Sequence, residues 1–177
     1  MQKFLFLFIS ITVFSQGYET QKYELIKKLN EIEIRFYPPV MKAKVSSENN
    51  FSRLFKYISG NNDKGEKISM TTPVQMTSRD NKSTMEFILP SKYNEKNYAK
   101  PKDKSIKIYI SKPGYYAAIT YGGYSNEEKV QNHHKTLISK LKESNFEIID
   151  DNPIVLSYNS PYKVFNRRNE VLVEVKF

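Results

Sequence analysis

Few residues in this chain can do covalent or acid–base chemistry, and their types narrow the field. Its 177 residues include no cysteine and two adjacent histidines, His133 and His134. Without thiols there is no disulfide, no cysteine-type zinc site and no Cys-x-x-Cys-His attachment point. A Ser–His pair would have to use His133 or His134, neither of which has a distinctive context. The Gly-x-Ser-x-Gly, His-Glu-x-x-His, P-loop and Gly-x-Gly-x-x-Gly patterns do not occur. Glu33, Glu86 and Glu174 fall in strand-like segments and could act as acid and base if the fold brought them together. Arg167-Arg168-Asn169-Glu170 presents guanidinium forks suited to phosphate or carboxylate, but such clusters more often lock a loop against Glu and backbone carbonyls. No catalytic residue is assigned.

The elements that must position these groups alternate between strand and helix signals. Ile32, Ile34 and Phe36 share one face of a strand, with Glu33 and Arg35 on the other, and Pro38-Pro39 ends it. Ser46, Ser47 and Asn50 are N-cap candidates for a helix on which Phe51, Leu54, Phe55 and Ile58 recur at i, i+3, i+4 and i+7. Arg53, Lys56 and Tyr57 flank that stripe, and Gly60 with Asn61-Asn62 stops the helix. Segments 67–76 and 85–89 are strand-like, and 91–103 has the polar composition of a solvated loop. Ile106, Ile108 and Ile110 alternate cleanly before the Pro113-Gly114 turn. A second helix follows Gly122-Gly123, with Ser125 as N-cap and His134 in line with its apolar stripe. Two short strands, 146–149 and 154–158, and a final one through Val171, Val173 and Val175 complete the pattern.

The halves echo each other. Pro39, Ala43 and Val45 match Pro113, Ala117 and Ile119 at a constant spacing of 74, and each set precedes a helix and further strands. The expectation is an α+β fold: a duplicated strand–helix–strand unit with two helices packed on an antiparallel sheet.

Residues 1–15 read as a signal peptide, with Lys3 before an apolar run from Phe4 to Phe14, and with cleavage after Ser15 or as late as Gly17. The run is short for a bilayer span, so the protein is expected to be exported, periplasmic or secreted, with no transmembrane segment after processing. The formal charge of +9 is spread over scattered lysines without an arginine-rich arm, which suits solubility and anion attraction better than nucleic-acid binding.

Four blocks carry a resemblance. Glu33-Ile34-Arg35-x-Tyr37-Pro38-Pro39, Phe55-Lys56-Tyr57-Ile58-Ser59-Gly60-Asn61-Asn62, Ile68-Ser69-Met70-Thr71-Thr72-Pro73-Val74 and Arg167-Arg168-Asn169-Glu170-Val171 occur in order over nearly all of residues 18–177. Together they resemble the SOUL heme-binding family, as does Gly122-Gly123-Tyr124 before the second helix. The resemblance implies a distorted antiparallel β-barrel of two pseudo-repeated halves with two helices, related in fold to effector-binding domains. It also implies non-covalent binding of heme or another porphyrin in a shallow hydrophobic groove beside the first helix.

A porphyrin needs an apolar plate contact and cations for its propionates. The first helix supplies Phe51, Leu54, Phe55 and Ile58, with Arg53 and Lys56. The resemblance further implies that the loop before the final strand, with Tyr162, Lys163 and Phe165, borders the groove and that Lys56 and Lys163 stand at its propionate positions. Taken singly, such a stripe is ordinarily core and such lysines ordinarily solvated. His133 and His134 are weak axial candidates, Met41, Met70, Met76, Met85 and the tyrosines are further ones, and binding need not use a protein ligand. A tetrapyrrole-binding monomer is expected. The competing readings are a hydrolase or effector-binding domain for a small apolar molecule and an envelope protein-interaction module. A buried Glu lining an enclosed cavity would favour the hydrolase.

Overall fold

The structure is a computed structural model that describes residues 17–177, so the expected signal peptide lies outside the described residues. Its order is β1 (Glu19–Thr20), β2 (Glu24–Leu29), β3 (Ile32–Tyr37), β4 (Met41–Val45), α1 (Asn50–Ile58), β5 (Thr71–Thr72), β6 (Val74–Arg79), β7 (Lys82–Ile88), β8 (Lys107–Ile110), β9 (Gly114–Tyr121), α2 (Glu127–Glu143), β10 (Ile148–Ser157) and β11 (Asn169–Val175). Nine strands form one antiparallel sheet in the order β2-β3-β9-β11-β10-β6-β7-β4-β8, and β1 pairs with β5 in parallel. β2 and β8 are the sheet's edges, and no pairing joins them among the described residues. The architecture is α+β, and no closed barrel is formed among the described residues.

Duplication is written into the register. β3 leads into β4 but pairs with β9, while β8 leads into β9 but pairs with β4, so each half lends its first strand to the other. Glu33 faces Ala118 in one crossing, and Lys107 faces Lys44 in the other, each residue 74 positions from its counterpart. The halves meet where β10 runs against β6.

A single cross-strand row explains where the core lies. Ile32, Ile119, Val171, Val155, Met76, Met85 and Val45 are successive partners from β3 to β4 and therefore share one face. Both helices cover that face. α2 packs Leu137 and Leu141 on Ile32, Ile119 and Val171, while α1 packs Leu54, Tyr57 and Ile58 around Val45 and Phe87. The opposite face is filled as well, by Tyr37, Ala118, Leu156 and Leu172 and by paired charges.

Several local expectations shift. The strand segments 146–149 and 154–158 join into β10, whose register breaks between Ile148 and Ile154. α2 is capped by Asn126, which accepts from the Lys129 N–H, because Ser125 is bonded to the Tyr121 hydroxyl. α1 starts after Asn49, a residue at φ 31°, without a side-chain cap. The 91–103 connection is irregular but not merely solvated, since Tyr93 and Ala99 are buried in the α1 core.

Candidate ligand-binding site

Two buried polar anchors fix the roll of α1. Asn50 accepts from the Ser47 N–H at 2.7 Å and donates to the Ser83 carbonyl at 3.1 Å, and the Tyr57 hydroxyl donates to the Ala99 carbonyl at 2.8 Å. The C-terminus closes with Gly60 at φ 113° and the Asn61 N–H bonded back to the Lys56 carbonyl, a left-handed cap that suits glycine. With Asn50 and Tyr57 held inside, the buried face is Asn50, Leu54, Tyr57 and Ile58. At about 100° per residue this face is rotated by roughly 60° from the apolar stripe read in the sequence.

The rotation separates that stripe into two pairs. Leu54 and Ile58 enter the core, while Phe51 and Phe55 remain 44% and 50% exposed. Their rings stack at 5.8 Å with planes 13° apart, and Phe51 meets Phe87 edge-on at 5.6 Å. Tyr57, read as a flanking residue, is core. Arg53 is bound to Asp103 at 2.7 Å. Ser105, through its hydroxyl and backbone N–H, and then Arg53 hold the Asp103 carboxyl down at about 2. Lys56 is exposed and makes no side-chain hydrogen bond or ion pair among the described residues. The arrangement is an aromatic ledge, with the uncommitted Lys56 about 100° farther round the helix from Phe55.

Tyr162 and Lys163 lie on the loop between β10 and β11, exposed together with Phe165. The hydrogen bonds and ring contacts of this loop stay within the loop and Tyr158 or go to Tyr124 and Glu170, and none reaches α1 among the described residues. The histidines sit on α2, in the other half. His133 stacks on Tyr121 at 4.5 Å with Nδ1 at the Lys129 carbonyl, and Nε2 of His134 lies 2.6 Å from the Asp151 carbonyl. Met41 is buried in the α1 core, and Met70 and Met85 pack against it.

The acidic residues do not assemble. Glu33, Glu86 and Glu174 belong to β3, β7 and β11, separated by at least one intervening strand. Glu33 bonds to Arg35, and Glu86 accepts from Lys42 at 3.2 Å and from Tyr109 at 2.9 Å. Glu170, wholly buried, was not singled out as a hub by sequence. It accepts from Arg35, Arg168, Tyr158 and Thr120. Burial alone would push its carboxyl up, but the two arginines outweigh burial and hold it below the usual value. Arg167 donates to the Ser160 and Lys163 carbonyls, so the Arg-Arg-Asn-Glu block is a loop lock.

The family model described as "SOUL heme-binding protein" matches residues 18–174. The chain belongs to the SOUL family. It is similar to Heme-binding protein 2 of Homo sapiens, 29% identical over 157 residues that cover 78% of this chain and 75% of that protein. It is also similar to Heme-binding protein 1 of Mus musculus, 29% identical over 126 residues that cover 67% of this chain and 66% of that protein. A solved structure described as a hydrolase from Listeria innocua shares the fold, with a TM-score of 0.59 at 8% identity, over 85% of this chain and 94% of that one.

Whether this SOUL-family chain offers a tetrapyrrole surface can be judged from its own residues. The stacked Phe51 and Phe55 provide flat apolar contact, and Lys56 provides a cation free to meet a carboxylate. The residues around α1 therefore fit a flat anionic plate, whereas both histidines belong to α2 and are engaged within the other half. A cavity of about 420 Å³, smaller than the one of about 580 Å³ beside Tyr18, Ser69 and Met70, lies apart from the exposed ledge and is bordered by Pro38, Pro39, Met41, Leu89, Pro90 and Ile110. Neither Glu86 nor Glu170 lines it.

Proposed function

We propose that this protein binds heme or a related tetrapyrrole non-covalently on the exposed side of α1. The plate lies against Phe51 and Phe55, and Lys56 meets a propionate; Leu54 and Ile58 support the ledge from beneath. Arg53 serves by holding Asp103 away from the incoming acid groups. The supporting observation is the pair of stacked, half-exposed phenylalanines, with an uncommitted lysine on the same helix, in a chain of the SOUL family. Two such rings uncovered on one helix run against the usual fate of an amphipathic stripe.

Titration of the purified protein with hemin tests this reading. A saturable absorption change is expected, weakened about tenfold by Phe55→Ser, which removes the ring contact, and to a similar degree by Lys56→Glu. A titration that neither substitution alters would remove α1 from the site. The protein acts as a binder rather than an enzyme, because its buried glutamates are already neutralised by Arg35, Arg168 and Lys42. It is exported as a monomer, with a mature N-terminus beginning after Ser15 or Gly17, which intact-mass measurement of the protein from its native host would read.

A second reading rests on the cavity of about 420 Å³, whose volume is within the range of small-molecule pockets. A small apolar ligand there would be displaced by Met41→Trp and not by Phe55→Ser.

A further inference from the structure

The loop from Tyr158 to Arg168 combines two properties that conflict unless it has a partner. Its backbone is fixed from within. Nη1 of Arg167 donates to the Ser160 carbonyl at 2.8 Å and to the Lys163 carbonyl at 2.6 Å, and its guanidinium lies over Tyr124 at 4.4 Å. The Arg168 N–H donates to Asn159 at 2.7 Å, and the Arg168 side chain grips Glu170 at 2.7 Å while covering Tyr158. The tip carried by this scaffold nevertheless leaves Tyr162 91%, Val164 58% and Phe165 80% exposed. Ordering a loop costs conformational entropy, and apolar burial, the usual compensation, is missing here.

Charge indicates what covers the tip. No Asp or Glu occurs from Pro153 to Asn169, whereas Lys163, Arg167 and Arg168 all fall within the loop. Arg167 is met by carbonyl oxygens rather than a carboxylate, and Lys163 stands at the tip itself. The whole chain carries +9, which adds long-range attraction to an anionic surface. Side chains this exposed do not line a ligand pocket, and Tyr and Phe are residue types that settle at the boundary between head groups and acyl chains.

We propose that the Tyr162–Phe165 tip inserts into the interface of an anionic lipid bilayer, with Lys163 meeting the lipid head groups. This goes beyond tetrapyrrole binding on α1 and uses a different surface.

The chain has no tryptophan, so Phe165→Trp places a single indole reporter at the tip. Its emission is expected to shift to the blue with phosphatidylcholine–phosphatidylglycerol vesicles and to be quenched by brominated acyl chains, with no response to phosphatidylcholine alone. Because the reporter sits in the loop, any adhesion through the apolar residues 4–14 does not produce the signal. In vesicle co-sedimentation, Phe165→Ser lowers the partition coefficient about tenfold, and Lys163→Gln lowers it about fivefold, an effect that shrinks with added salt. An unshifted indole, or sedimentation unchanged by Phe165→Ser, overturns the proposal and leaves the tip to a protein partner. Hemin titration of Phe165→Ser separates the two readings. Unchanged affinity is expected, whereas a loss matching that of Phe55→Ser would assign the loop to the tetrapyrrole and sink the membrane role.

Discussion

α1 and α2 follow strands 74 residues apart and pack on the same face of one sheet, yet they finish their cores differently. α2, at 17 residues, turns no large apolar side chain to solvent among the described residues. α1, at 9 residues, leaves Phe51 and Phe55 half exposed, and its core is completed by Tyr93, Ala99 and Ile106 from the connection to β8. The polar anchors Asn50 and Tyr57 occupy positions on α1 that a purely apolar contact would have given to the two phenylalanines. A repeated scaffold thus yields one closed half and one half with a surface to spend on a ligand. The opposite sheet face shows a parallel contrast. Glu170 and Glu86 lie on a single cross-strand row, with Leu156 and Gln75 between them. Glu170 is held by two arginines, whereas Glu86 is held chiefly by Lys42 and Tyr109.

The largest effect should come from the more heavily paired hub. Glu170→Ala takes from buried Arg35 its fully buried carboxylate and leaves it only the partly exposed Glu33, so the loss should approach the roughly 3–5 kcal/mol typical of a broken buried pair. Glu86→Ala should cost less, because the Lys42 ammonium can lose its proton; its own burial already lowers its pKa despite Glu86. Denaturant unfolding of both variants checks the order, and equal losses would erase the distinction between the hubs. The pH dependence has a defined sign. The Glu170 carboxyl titrates lower folded than its ordinary 4.5, so its contribution is present above 4.5 and is lost as pH falls through the folded value. A Glu170→Gln variant should therefore show a shallower loss of stability in acid than the parent.

Next in size is a contrast within α1 itself. Leu54, wholly buried, should cost about 2–5 kcal/mol when cut to alanine. Phe55, half exposed, should cost about 0.5 kcal/mol as Phe55→Ala. If Phe55→Ala proved as damaging as Leu54→Ala, the ledge would be part of the core and unavailable to a plate. Hemin affinity should rank the other way, falling about tenfold, or about 1.4 kcal/mol, for Phe55→Ala while its unfolding midpoint barely moves.

The duplication, the two helices and most strands were legible because each rests on periodicity or on Pro and Gly punctuation. The lent strands were not, since pairing β3 with β9 and β8 with β4 is a long-range choice that local pattern does not encode. Phe51, Leu54, Phe55 and Ile58 were legible as apolar positions at helical spacing, but their division into core and ledge depends on Asn50 and Tyr57 reaching Ser83 and Ala99. Arg35 illustrates the same limit. Strict alternation places it on the outward face of β3, yet Tyr37, Leu156 and Leu172 cover that face too, so the arginine is buried with Glu170. An arginine flanked by Glu33 and Tyr37 in a strand was the available signal. The family resemblance, not local pattern, named Tyr162 and Lys163 for the same groove; in the fold they stand exposed on the loop between β10 and β11.

The smallest effects belong to the metal-binding candidates, and they sharpen the division between the halves. His133 and His134 both lie on α2, one stacked on Tyr121 and one at the Asp151 carbonyl, each already engaged within its own half. A plate resting on Phe51 and Phe55 gains its affinity from ring contact and from Lys56, interactions that do not involve the iron. Iron-free protoporphyrin should therefore bind within about twofold of hemin, and a His133→Gln, His134→Gln double variant should change the hemin affinity by no more than that, since twofold is about 0.4 kcal/mol. Competition of protoporphyrin against hemin, followed by fluorescence, measures the first, and the absorption spectrum of the double variant the second. A large loss in either would transfer the ligand to α2 and make the closed half, not the open one, the seat of binding.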